Sequence, residues 1–189
     1  MDGCVPSLQT SAHGCGCRDT RPRGQTLVAQ ELRLLLIAEA PPTAPDRYFY
    51  FEHVQTQDSL FRYVHKGLTG QMPSRDGKGA GLAALQLIGV GLVDVSPEPL
   101  VRPGATLSPF VPDLVERVAA LAPALVVLIK ATVHDAVLAP LRAVGVNVAP
   151  ERIPFPGSGR QAEFEVAFAK ALRAAQFQRG PSCSAHGPC

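Results

Sequence analysis

The sequence predicts an α/β domain: a short parallel sheet of about four strands with helices on both faces. Three observations carry that expectation. Short apolar runs recur at residues 32–38 (LRLLLIA), 92–95 (LVDV) and 124–129 (ALVVLI), as expected of strands buried on both faces. Stretches of helical period separate these runs. No apolar run approaches the roughly 20 residues of a membrane span, so no transmembrane segment is expected.

The elements can be justified in order. The first strand ends at Glu39, where Pro41-Pro42 stops any continuation. Residues 79–89 (GAGLAALQLIG) are compatible with a helix, and residues 92–95 give the second strand. Over residues 110–122, Val111, Leu114, Val115, Val118 and Leu121 form one apolar helical face, with Ser108-Pro109 and Pro112-Asp113 as start signals. Residues 124–129 form the third strand, ending at Lys130. Thr132-Val-His-Asp135 has the spacing of a capping box for the next helix, which gives His134 and Asp135 a structural role first. Pro140 is expected to kink or restart that helix. Residues 144–148, leading through Glu151 to Ile153, give the fourth strand. The last helix covers about residues 160–175, with Phe164, Val166, Phe168, Ala169 and Leu172 available for the core.

Composition bounds the rest. The 189 residues are 46% hydrophobic and 18% charged, enough apolar material for a packed core. One domain over residues 28–178 is expected, flanked by disordered tails at 1–27 and 179–189. Arg18, Arg21 and Arg23 against Asp2 and Asp19 leave one positive charge near the start, and Arg179 adds another near the end. The net +2 of the chain therefore lies in the tails, and a neutral middle does not advertise a broad basic stripe, so any nucleic-acid contact is expected to be local. Cys4, Cys15, Cys17, Cys183 and Cys189 all fall in the tails as well. An odd count without a secretory signal argues against a disulfide framework. Cys15-Gly-Cys17, with His13 or His186, lacks the usual C-x₂-C metal spacing. No metal or cofactor is expected, and the chain reads as a cytoplasmic monomer.

Ligands of open parallel sheets bind outside the carboxyl ends of the strands. There the sequence places Glu39, Asp94, Lys130 and the loop Phe155-Pro-Gly-Ser-Gly-Arg-Gln161. The Gly157-Ser158-Gly159 turn suits an anion, although Ser158-x-x-Gln161 also has capping-box spacing. Arg47-Tyr-Phe-Tyr-Phe51 is either a small strand with one wet face or a stacking platform for a planar ring. Arg75-Asp-Gly-Lys-Gly79 reads as a charged connection, lacking phosphate-loop spacing.

Residues 34–51 (LLLIAEAPPTAPDRYFYF) resemble the first motif of the uracil-DNA glycosylase superfamily, most closely the form found in its iron–sulfur branch. LVDVSPEPL at 92–100 and PFPGSGRQ at 154–161 follow in that family's order, so the resemblance spans about residues 32–175. It implies a uracil-DNA-glycosylase-like sheet and a pocket for a damaged or deaminated base flipped out of DNA. By position, Glu39 would act on water or on the developing sugar cation, and Asp94 would read the base edge. Ala38, Ala40, Pro41, Phe49, Lys130 and Phe155 would line the base pocket, Phe49 by stacking. Gly157, Ser158 and Gly159 would hold flanking phosphates and Arg160 would wedge into the duplex. Ala40 replaces the family's catalytic Asp or Asn, Phe155 its histidine and Asp94 its asparagine, and the cluster-binding cysteines are missing from the middle of the chain. The implied activity is hydrolysis of an N-glycosidic bond in single- or double-stranded DNA. The alternatives are an inactive lesion or single-strand binder, or an enzyme on free nucleosides or nucleotides.

Overall fold

The structure, a computed structural model, describes residues 31–44, 47–54, 58–101 and 106–177. The expected tails, with all five cysteines, lie outside the described residues. The described chain is an α/β layer structure. Strand β1 (Leu34–Ala38) is followed by helices α1 (Ser59–Thr69) and α2 (Lys78–Leu87), then β2 (Val90–Asp94). A short 3₁₀ turn (Ser108–Phe110) leads into α3 (Val111–Leu121), β3 (Leu125–Leu128), α4 (Ala131–Ala143) and α5 (Gln161–Ala174).

The sheet has the order β2-β1-β3 and is wholly parallel. Leu34 pairs with Val90 on one side and Leu125 on the other, and Ala38 pairs with Asp94. All five residues of β1 are buried, which is why this run carries no polar residue. Leu34, Leu36 and Ala38 pack with Phe61, Val64, Phe164 and Phe168 of α1 and α5. Leu35 and Ile37 pack with Leu114, Val118, Val137 and Leu141 of α3 and α4. Alternation along one strand thus feeds two cores, one on each face. Gly67 lets α1 approach α5 closely, since a Cβ there would sit 2.6 Å from the Phe168 ring.

The sheet has three strands, not four. Residues 148–153 touch β3 only through two isolated parallel bridges, Val126 with Val148 and Ile129 with Ile153. Two residues of β3 lie between those bridges against four of the partner segment, so two extra residues bulge out between them. Pro150, which has no N–H to donate, lies in the bulge.

Local expectations also change. Helix α1 was not foreseen from the sequence, yet Asp58 caps it by accepting from Phe61 N at 3.2 Å, and Gly70 closes it in a left-handed conformation. Thr132–Asp135 does not form a capping box, because α4 already begins at Ala131 without a side-chain cap. Likewise α5 begins at Gln161 with Arg160 as its uncapped boundary, so Ser158 does not cap it. Helix α4 runs through Pro140 as one element. Val166 is 71% exposed and does not belong to the core.

Candidate functional site

In the order β2-β1-β3, the chain leaves β1 towards β2 on one side and later reaches β3 on the other. Their carboxyl ends therefore diverge at the gap between β1 and β3, where a crevice forms in folds of this kind. Glu39 leaves β1 and Lys130 leaves β3 at this gap. The Lys130 ammonium donates to Glu39 Oε2, and the Thr132 hydroxyl donates to Glu39 Oε1 at 2.6 Å. The site also has firm backbone ties. Val95 N donates to Ala38 O at 2.9 Å, Ser96 N to Glu39 O at 3.0 Å, and Lys130 N to Ile153 O at 2.8 Å.

Lys130 adopts φ 86° and ψ 141°, a conformation that side chains with a Cβ rarely enter. The strand must turn into α4 within two residues, Ile129 and Lys130, since Leu128 ends β3 and Ala131 begins the helix. Backbone strain of this kind costs of order 1–3 kcal/mol and clusters at functional positions. Burial alone would raise the pKa of Glu39, but hydrogen bonds from Lys130 and Thr132 and the Lys130 charge outweigh it, so the carboxyl titrates below its usual range. Its position against the first turn of α4 adds the favourable end of the helix dipole. Glu39 is thus a fixed anion, with its side chain 25% exposed.

Asp94 ends β2 opposite Ala38 and has a contrasting environment. Burial pushes its pKa up to about 7, and the positive charge of Arg117 offsets this only in part. Among the described residues its carboxyl has no hydrogen-bond or ion-pair partner. Tyr48 and Tyr50 lie near it: burial raises the pKa of Tyr48, with the Asp94 charge adding to it. Tyr50 is raised to about 12 by burial, against the lowering effect of its bond to Leu92. The structure brings Glu39 together with Lys130. No contact joins Asp94 to either of them.

The other expected residues separate into two groups. Ala38 is buried at the end of β1, and Ala40 and Pro41 are half-buried just beyond it. Phe49 is 5% exposed and packs edge-on against Phe61, with ring centroids 5.7 Å apart. It is a core residue in this state, and the segment around it is a turn, not a strand. Phe155 is the exposed ring, at 45%. Ser158 and Gly159 follow with φ 52° and 85°, and the Arg160 guanidinium folds back onto Glu163 at 2.7 Å.

Thr132 is the site residue that sequence reasoning missed, because its spacing to Asp135 suggested a cap. Asp135 instead pairs with Arg152, while His134 lies 3.2 Å from the Pro150 carbonyl. A groove of about 720 Å³ is lined by Pro150, Glu151, Arg152, Val166 and Lys170 among others, away from Glu39 and Asp94. Among the described residues no cluster of His, Cys, Asp or Glu could hold a metal ion, and no helix is long and apolar enough to cross a membrane. No protein-family model, curated protein or solved structure matches the chain.

Proposed function

We propose that this α/β domain is of the uracil-DNA-glycosylase type, binds a damaged or deaminated base flipped out of DNA, and hydrolyses its N-glycosidic bond. The observation that carries the reading is the strained Lys130, which fixes an anionic Glu39 at the carboxyl edge of the central strand. In the proposed reaction water adds to the sugar C1′ as the bond to the base breaks. The Glu39 carboxylate opposes the positive charge that develops on the sugar and orients the water through its remaining lone pairs, and the proton that the water loses passes through this carboxylate to solvent. Asp94, with a pKa of about 7, is protonated in a large fraction of molecules at neutral pH and can give its proton to the departing base. Phe155 and the Gly157–Arg160 loop supply an exposed ring and a backbone turn for flanking phosphates. The proposal takes the protein to act as a cytoplasmic monomer without a cofactor.

A second reading, a non-catalytic binder of lesions or single strands, is favoured by one observation. Both oxygens of Glu39 are already engaged, by Lys130 and Thr132. Single-turnover cleavage separates the two. Labelled oligonucleotides carrying uracil, hypoxanthine, xanthine or a mismatch, in single- and double-stranded form, are incubated with wild type and Glu39→Gln. Alkali-sensitive breaks at one lesion that disappear in the variant support hydrolysis. Lesion-selective binding without breaks supports the binder, and the absence of both breaks and selective binding refutes both readings.

A further inference from the structure

We propose that the groove between α5 and residues 150–152 is a second binding site, for a small organic cation with a primary ammonium group on an aliphatic body. Glu151 lies in the two-residue bulge beside β3, and its side chain is only 7% exposed. Its Oε2 is buried with no hydrogen-bond partner, whereas buried carboxylate oxygens are ordinarily satisfied by donors. The nearest cation, Lys170, is 71% exposed and reaches only Oε1, at 3.8 Å, beyond hydrogen-bond length.

Glu151 is one of the residues lining an open groove, whose volume of about 720 Å³ is ample for a small molecule. The other charges along it are already engaged: Arg152 with Asp135, and Glu163 with Arg160. Glu151 is therefore the lining group whose demand is unmet, and that demand is for a positively charged donor. Ala162, Val166 and Ala167 give the α5 wall an apolar character, with Val166 71% exposed. An aliphatic body can lie along that wall while its ammonium meets Glu151. Pro150 and the bulge blunt the sheet edge, which disfavours an added peptide strand as the occupant.

The test is titration of the ¹⁵N-labelled full chain with n-butylammonium, using n-butanol and n-butyrate as controls. Saturable shifts of the amides of Glu151, Arg152, Ala162 and Val166 are expected with n-butylammonium alone. Glu151→Gln should weaken binding at least tenfold. Val166→Arg, at an exposed helix position that tolerates substitution, should weaken it by a similar factor by filling the groove with a tethered cation. No shift at these amides, equal shifts with n-butanol, or unchanged affinity in well-folded Glu151→Gln would overturn the proposal. Because Glu39 and Asp94 do not line this groove, the result is independent of oligonucleotide cleavage.

Discussion

Lys130 and Glu39, 91 residues apart in sequence, form an ion pair that spans the gap between the ends of β3 and β1. The pair itself is half-open to water, with Lys130 46% exposed, so it contributes little to stability. Its significance is positional: a residue in an unfavourable backbone conformation holds the carboxylate where the sheet's crevice opens. This separates two effects that mutation can read independently. Lys130→Gly removes both the ammonium and the strain, whereas Lys130→Ala removes only the ammonium. The expected outcome is that Lys130→Gly is the more stable variant by about 1–3 kcal/mol in urea unfolding. Elsewhere the order is reversed, since glycine is usually less stable than alanine. Equal stability would mean that the φ of 86° imposes no strain.

Glu39 predicts a pH dependence confined to acid. Its folded-state pKa lies below the ordinary value of 4.5. The folded state therefore favours the anion, and the resulting stabilisation is fully present above pH 4.5 and is lost as pH falls through the folded pKa. Urea midpoints of wild type and Glu39→Gln should run parallel above that pH and converge below it. A gap that widened in acid would contradict the arrangement of Lys130 and Thr132 around this carboxyl.

Asp94 predicts the opposite sign in a different window. Its pKa rises from 3.8 to about 7 on folding because burial disfavours the charged form. Between those values the folded state binds the proton that the unfolded chain has released, so stability falls as pH rises from about 4 to 7. Asp94→Asn should abolish that slope and be relatively more stable at pH 8 than at pH 4. In the proposed reaction the same variant loses the transferable proton. Its single-turnover rate should drop and lose the alkaline limb near pH 7. A carboxyl that titrates near 4 by NMR would remove both expectations.

How much of this was legible in the sequence depends on the range of the interaction. The runs at β1 and β3 and the apolar face of α3 are local patterns, and they appear where periodicity places them, except that Leu121 at the end of α3 is 47% exposed. Helix α1 was equally local, with Leu60, Phe61, Val64 and Leu68 behind an Asp58 cap and Gly70 at the end. The fourth strand failed for a non-local reason, since the mismatch between Val126–Ile129 and Val148–Ile153 exists only in the pairing register. Glu39 and Lys130 could be brought together only through the rule that strand ends converge. Nothing in Tyr48-Phe-Tyr-Phe51 distinguished the ring that enters the core, Phe49, from those that do not.

Lys78 illustrates the same limit and yields a stability prediction. Its sequence context suggested a charged connection, but its side chain is 2% exposed and bonds Asp58 Oδ2 and Tyr48 O, each at 3.0 Å. One ammonium thus joins the starts of α1 and α2 to the loop after β1. Burial lowers its pKa, opposed by the Asp58 carboxylate. Lys78→Met leaves that carboxylate buried without its counter-charge and should cost about 3–5 kcal/mol. Adding Asp58→Asn, which retains a capping side chain, should recover part of the loss. Additive losses in the double variant would show that the two residues are not coupled.

Tyr50 joins the aromatic segment to the sheet in a way that a single atom can test. Its hydroxyl donates to Leu92 O at 2.9 Å and accepts from Leu92 N at 2.6 Å. Leu92 lies in β2, an outer strand of the sheet, and the phenol occupies both backbone groups that a further strand would otherwise pair. Tyr50→Phe keeps the ring and its edge contact with Phe49, centroids 5.2 Å apart, but leaves that donor and acceptor unmet. The expected loss is about 1–3 kcal/mol, the cost of an unsatisfied buried polar group. It should appear in hydrogen exchange as faster exchange at the Leu92 amide, while the amides of β3 keep their protection. Unchanged exchange at Leu92 would mean that the hydroxyl is not what closes this edge.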